Sequence, residues 1–170
     1  MFVSKHLKQN NIAEYLIYMW QVEDLIRANG CDMENIKCRV IDCYPSLSKE
    51  QSDELSQWYE DLIEMMRREE VMQKGHLQIN KNVITWLTDL HLQLLASSKF
   101  PYYSAAYYKA LPFIVELRAK GANKEEPELE TCIETSKEGG RRRDQKGARG
   151  YNNIVVHAFH ILYTRQERRT

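Results

Sequence analysis

The stretch 80–98, NKNVITWLTDLHLQLLASS, constrains the fold more than any other part of the chain. Val83, Ile84, Trp86, Leu87, Leu90, Leu92, Leu94 and Leu95 fall on nearly every side of a 3.6-residue spiral, so a helix here has no broad polar face to turn toward water. That pattern predicts a central helix, with Leu87 close to fully buried. Asn80 or Asn82 supplies an N-cap, and Ser97, Ser98 and the Phe100–Pro101 step end the run, because a residue before proline is driven out of the α region.

Helical signatures recur on either side. Asn10 or Asn11 caps IAEYLIYMWQVEDLIRA, in which Ile12, Leu16, Met19, Val22 and Ile26 form a core stripe and Asn29-Gly30 a C-terminal stop. Asp32 opens a short helix through Ile36, Val40 and Ile41, ended by Tyr44-Pro45. Ser48 with Gln51 has the capping-box spacing and starts a long charged helix reaching about Gln73. Its inward positions are Leu55, Trp58, Tyr59, Leu62, Ile63, Met66 and Val71; its acidic and basic residues form a solvated face. After Pro101 an aromatic helix follows, with Tyr102, Tyr103, Tyr107 and Tyr108 around a strip of alanines. Pro112 predicts a kink or restart near Leu111, and the carbonyls it frees, with Glu116, are candidate partners for buried tyrosine hydroxyls. Asn123 with Glu126 opens a last short helix carrying Leu129, Cys132 and Ile133. The expectation is an all-α bundle of about five or six helices in one domain, 1–134, with 135–170 as a basic linker and an atypical tail.

Charge divides at the same place. Residues 1–130 hold fifteen Lys/Arg against twenty Asp/Glu, net −5, and 131–170 hold nine against four, net +5. The chain as a whole is neutral, so no global field argues for nucleic acid or an anionic membrane. The N-terminus has no apolar signal-peptide core and no apolar run is long enough to span a bilayer, which predicts a cytoplasmic protein without membrane contact. Cys31, Cys38, Cys43 and Cys132 form neither a C-x-x-C pair nor a Cys/His alternation, and read as free thiols serving mostly as small buried hydrophobes.

Motifs for chemistry are few. A carboxylate-bridged metal site in a bundle needs Glu-x-x-His on facing helices, and a zinc peptidase needs His-Glu-x-x-His; neither occurs, so no metal, cofactor or catalytic residue is expected. His157 and His160 are spaced i, i+3 but have no third ligand in register. One polar cluster offers a ligand site: Trp20, Glu23 and Arg27 along one helix face, with Tyr103, Tyr107 and Glu116 across a tyrosine-lined groove. The plainer reading of Glu23 and Arg27 is an ordinary i, i+4 helix ion pair.

YLIYMWQVEDLIRA, GHLQINKNVI and KFPYYSAAYYKALPFIVELR resemble a family of short all-helical bacterial proteins, of Bacteroides type, that form a domain of unknown function. The resemblance covers about residues 1–132. It implies a helical cytoplasmic fold and brings no activity with it. Relatives continue with a Leu-rich helix and a helix ending in paired tyrosines, whereas this chain reads IETSKEGGRRRDQKGARG, as a shifted reading frame would produce. Residues 137–150 have the composition of a disordered linker, and the apolar run 151–163 fits strand and helix equally.

Three functional classes follow. An interaction, scaffold or regulatory protein, with a protein partner or a second copy of itself, is the first. A small-molecule binder or enzyme using the Trp/Tyr/Arg pocket is the second, and nucleic-acid binding through RRRDQKGARG and Tyr151 is the third.

Overall fold

A computed structural model describes residues 2–120, which form six α-helices and no strand. They are α1 (Phe2–Asn10), α2 (Ile12–Ala28), α3 (Met33–Ile36), α4 (Lys49–Arg68), α5 (Gln78–Ala96) and α6 (Pro101–Lys120). The all-α expectation holds. The chain groups into two compact units, one made of Met1–His6 and Tyr18–Lys81, the other of Leu7–Ile17 and the chain from Asn82 onward. The expected helix after Asn123, the linker, the apolar run 151–163, His157, His160 and Cys132 lie outside the described residues.

Local chemistry explains most helix boundaries. Asn11 Oδ1 accepts the Glu14 amide at 3.2 Å and starts α2. At the other end Cys31 N–H bonds Ile26 O and Gly30 N–H bonds Arg27 O, both at 2.9 Å. That is the paired 6→1 and 5→2 pattern of a Schellman stop, and it requires Gly30 at φ 69°. Asp32 caps α3 through the Glu34 amide at 3.0 Å. The chain then runs into a π-helical turn, Lys37–Ile41, whose wider winding sets Ile36 and Ile41, five residues apart, into the core together. This segment packs on α4. The capping box of α4 is present in both directions: Ser48 Oγ accepts from Gln51 N–H at 3.2 Å, and Gln51 Oε1 accepts from Ser48 N–H at 2.9 Å.

Several expectations need correction. First, α1 is an additional helix that the sparse apolar pattern of FVSKHLKQN did not announce. Second, α4 stops at Arg68 rather than near Gln73, because Glu70 turns into the left-handed region at φ 57° and Val71 N–H reaches back to Met66 O. Third, of the kink or restart expected near Leu111, the restart does not occur: α6 runs unbroken from Pro101 to Lys120 with Pro112 inside it. Fourth, α5 is not surrounded: Ile84, Leu87 and Leu94 are buried as expected, but Trp86 is 48% and Leu92 57% exposed. The deepest run belongs to α2, where Ile12, Ala13, Tyr15, Leu16, Met19, Trp20, Val22, Glu23 and Ile26 are all buried. Cys38 and Cys43 are exposed free thiols rather than buried hydrophobes, and Cys31 is half-buried.

Candidate functional site

The unit containing Tyr18–Lys81 is tied together by one buried carboxylate. Glu23 points from the middle of α2 and is fully buried. Its Oε1 accepts from Leu77 N–H at 3.1 Å and from Asn80 Nδ2 at 2.8 Å, while Oε2 lies 2.6 Å from His76 Nδ1. Leu77 is the residue whose carbonyl starts α5, bonding the amides of Asn80 and Lys81. Glu23 therefore acts as a capping group supplied from another helix, placed where unsatisfied amides and the positive end of the helix dipole favour a negative charge. A second carboxylate does the same one residue on, as Glu69 Oε2 accepts the Gln78 amide at 2.6 Å. Asn80, expected as an N-cap, instead lies fully buried inside the first turn and donates to Glu23.

Trp20 and Arg27 lie one turn to either side of Glu23 on α2. The Trp20 indole is fully buried and stacks on the His76 ring, centroids 4.3 Å apart and planes 21° from parallel. Arg27 is 3.9 Å from Glu23, too long for a hydrogen bond. Its stronger ties run elsewhere: Nη1 to Asp24 at 3.0 Å, Nη2 to Val71 O at 3.1 Å, and a further bond to Gly75 O. The guanidinium thus holds the turn between α4 and α5 by its carbonyls, which is a structural engagement that the i, i+4 spacing with Glu23 did not suggest. Charge-assisted hydrogen bonds are worth about 1.5–3 kcal/mol each. Arg27→Ala is accordingly expected to lower unfolding free energy by roughly 2 kcal/mol, once its partial exposure is allowed for, and a change below about 0.5 kcal/mol in chemical denaturation would refute the clasp.

Tyr103, Tyr107 and Glu116 belong to the other unit. Tyr103 OH and His91 Nδ1 are joined by a buried 2.6 Å hydrogen bond, and Tyr107 meets the same imidazole edge-on at 4.9 Å. His91 is thus the partner of Tyr103, in place of Glu116 or the carbonyls near Pro112. Leu94 and Tyr103 form a small core with Leu90, Leu95 and Phe100 around them. Glu116 is exposed on α6. Of the six candidate residues, Trp20, Glu23 and Arg27 lie together in the first unit, and Tyr103 and Tyr107 lie together around His91 in the second. His76, Leu77, Asn80 and His91 complete these two clusters, and of these the sequence singled out only Asn80, as a helix cap. Among the described residues no group of His, Cys, Asp and Glu has the arrangement of a metal site.

Burial raises the pKa of two phenols, making them weaker acids. Tyr59 is pushed up to about 12, first by burial and then by Tyr18 and Tyr44, and Tyr103 is also raised, first by burial and then by Tyr107. A phenol whose folded pKa exceeds its unfolded value near 10 contributes stability that is intact below about pH 10 and is lost as pH rises toward the folded value. Denaturation midpoints should hold to about pH 10 and fall between there and pH 12, with tyrosinate absorbance appearing as the chain unfolds. A midpoint unchanged across that window would contradict the burial of both hydroxyls.

A family model described as a domain of unknown function (DUF4924) matches residues 1–137. The chain belongs to the DUF4924 family. No curated protein and no solved structure matches it. The DUF4924 match contains every residue of both clusters, so each is part of the family domain and none lies in the C-terminal extension. It ends close to where charge and periodicity change in the sequence; the basic segment 138–150 and the run 151–163 lie beyond it. No helix among the described residues is long and apolar enough to cross a membrane.

Proposed function

We propose that this DUF4924 protein is a helical interaction module that works through its surface, in a bacterial cytoplasm. The observation supporting this reading is where large apolar side chains are exposed. On α5 and α6, Trp86, Leu92, Tyr102, Tyr108 and Val115 are between 48% and 89% exposed. Scattered exposed hydrophobics are ordinary, but this many on two consecutive helices suits a surface that is covered in use. The charged groups most suited to chemistry, Glu23 and Arg27, are meanwhile engaged in internal ties. The test is photo-crosslinking in cells with a reactive residue at Trp86, Tyr102 or Tyr108, against Asp53 and Glu60 on the charged face of α4 as controls. A discrete adduct from the first set alone supports the reading. Equal labelling from both sets removes it.

A small-molecule binder is the second reading, and one observation favours it. Trp20 Nε1 and Asn80 Oδ1 are buried without a hydrogen-bond partner among the described residues, a donor and an acceptor on two residues that flank the Glu23–His76 pair. Native mass spectrometry of the freshly purified chain, with Asn80→Leu for comparison, decides it: a bound species lost in the variant supports a ligand there. The nucleic-acid reading rests on residues 141–151, outside the described part of the chain.

A further inference from the structure

We infer that α6 is a self-association helix, pairing antiparallel with α6 of a second copy about a two-fold axis at Pro112. This rests on the interaction reading above and names its partner. The helix carries two apolar faces. Tyr103, Ala110 and Ile114 are buried on one, where Tyr103 and Tyr107 engage His91. Ala105, Tyr108, Pro112, Val115 and Ala119 are all exposed on the other. Their spacing is 3, 4, 3, 4, the a/d seam of a helix that packs against another helix. Tyr108 and Val115, at 64% and 58% exposed, are its large members.

The partner follows from the order of residues along the seam. Read outward from Pro112, the sequence is nearly palindromic in character. Reversed on itself, it sets Pro112 against Pro112 of the second copy, Tyr108 against Val115, and Ala105 against Ala119. Bulky residues thus meet near the middle, and small ones at both ends let the backbones approach. Lys109 and Glu116, both exposed, each follow a d position of the seam, the e position. In an antiparallel pair e faces e, so Lys109 of each copy meets Glu116 of the other, an opposite-charge match made twice. An unrelated partner has no need of this symmetry, whereas a two-fold interface is built from one patch that is complementary to itself. Pro112 has no amide hydrogen, so its place on the axis leaves no donor to satisfy. The helix is about 30 Å long at 1.5 Å per residue, and one such pair lies at the small end of specific interfaces, so a dissociation constant of micromolar order is expected.

Sedimentation velocity of the full chain from about 1 to about 300 µM brackets that affinity. A concentration-dependent monomer–dimer equilibrium is expected. Val115→Glu should give monomer throughout with an unchanged circular dichroism spectrum and melting curve, since the side chain is exposed in the monomer. Lys109→Glu should weaken the dimer about tenfold, and adding Glu116→Lys should restore it, a rescue that only the reciprocal pairing predicts. Monomer at every concentration overturns the proposal, as does a dimer indifferent to Val115→Glu. In the monomer case, carbene labelling of Tyr108 and Val115 identifies the other occupant: protection means that the chain's own residues beyond 120 cover the face, and labelling that disappears only in the crosslinked adduct means a different protein. The crosslinking test above separates these results from failure of the interaction reading itself.

Discussion

Glu23→Ala is expected to destabilise the protein by roughly 3–5 kcal/mol, the cost of breaking a buried charged network by removing one partner. The magnitude follows from what is left behind. Leu77 N–H and Asn80 Nδ2 lose their acceptor in a fully buried place, and the His76 ring loses the carboxylate 2.6 Å from Nδ1. Each stranded donor costs about 1–3 kcal/mol, so two or three of them account for the total. Glu23→Gln should cost less, because one oxygen still accepts from Leu77 N–H and Asn80 Nδ2, and the amide nitrogen can donate to His76 Nδ1 in the tautomer that leaves that nitrogen unprotonated. Amide exchange gives the local signature: Leu77 and Gln78 should lose protection first, as the start of α5 frays. A double-mutant cycle with Asn80→Ala should show coupling well above the roughly 0.5 kcal/mol scatter of independent sites. Stability within about 0.5 kcal/mol of the parent would mean that α5 does not depend on the carboxylate.

The same carboxylate shows what a sequence can and cannot announce. Boundaries set by neighbours were legible: Asn11, Asp32, Ser48 with Gln51, and Gly30 all cap or stop helices through partners no more than five residues away. The start of α5 was not, because its amides are satisfied by Glu23, 54 residues earlier than Leu77, and by Glu69, nine earlier than Gln78. Asn80 had the right type for a cap, and tertiary structure gave it another use. The end of α4 was misplaced for a related reason. Glycine usually marks a left-handed stop, and Glu70 takes that conformation without one, at a cost that packing of Val71 offsets.

Hydrophobic pattern was legible in part. Leu16, Met19, Val22 and Ile26 are buried as their spacing predicts. On α5 the all-round apolar pattern predicted burial of Trp86 and Leu92, which are exposed. On α6 the pattern contains two stripes superimposed, and only the structure separates the one facing His91 from the one facing outward. For the candidate site, spacing placed Trp20, Glu23 and Arg27 together because they share a helix face. It could not reveal His76 stacked on Trp20 or His91 bonded to Tyr103, contacts that span 56 and 12 residues of sequence.

Trp20→Ala should be comparably severe, costing roughly 3–5 kcal/mol, as expected when a large buried aromatic is truncated and its cavity does not close. Trp20 has no exposed surface, and it supports one face of the imidazole that meets Glu23. The loss is therefore both apolar area and the positioning of His76. Trp20→Phe separates the two contributions: a smaller ring retains most of the stacking area and removes an indole N–H that has no partner among the described residues. Because that donor is already unsatisfied, its removal offsets part of the lost area and of the smaller cavity, and Trp20→Phe should cost clearly less than Trp20→Ala. Fluorescence provides an independent reading, since Trp86 is 48% exposed and Trp20 is not exposed at all. The third tryptophan, Trp58, is half-buried, so the comparison is made in a Trp58→Phe background: there the blue-shifted, quencher-resistant emission should persist in Trp86→Phe and be lost in Trp20→Ala. A Trp20→Ala protein with the parent's denaturation midpoint would show that the indole lines an open site and not the core, and would return the cluster to the small-molecule reading.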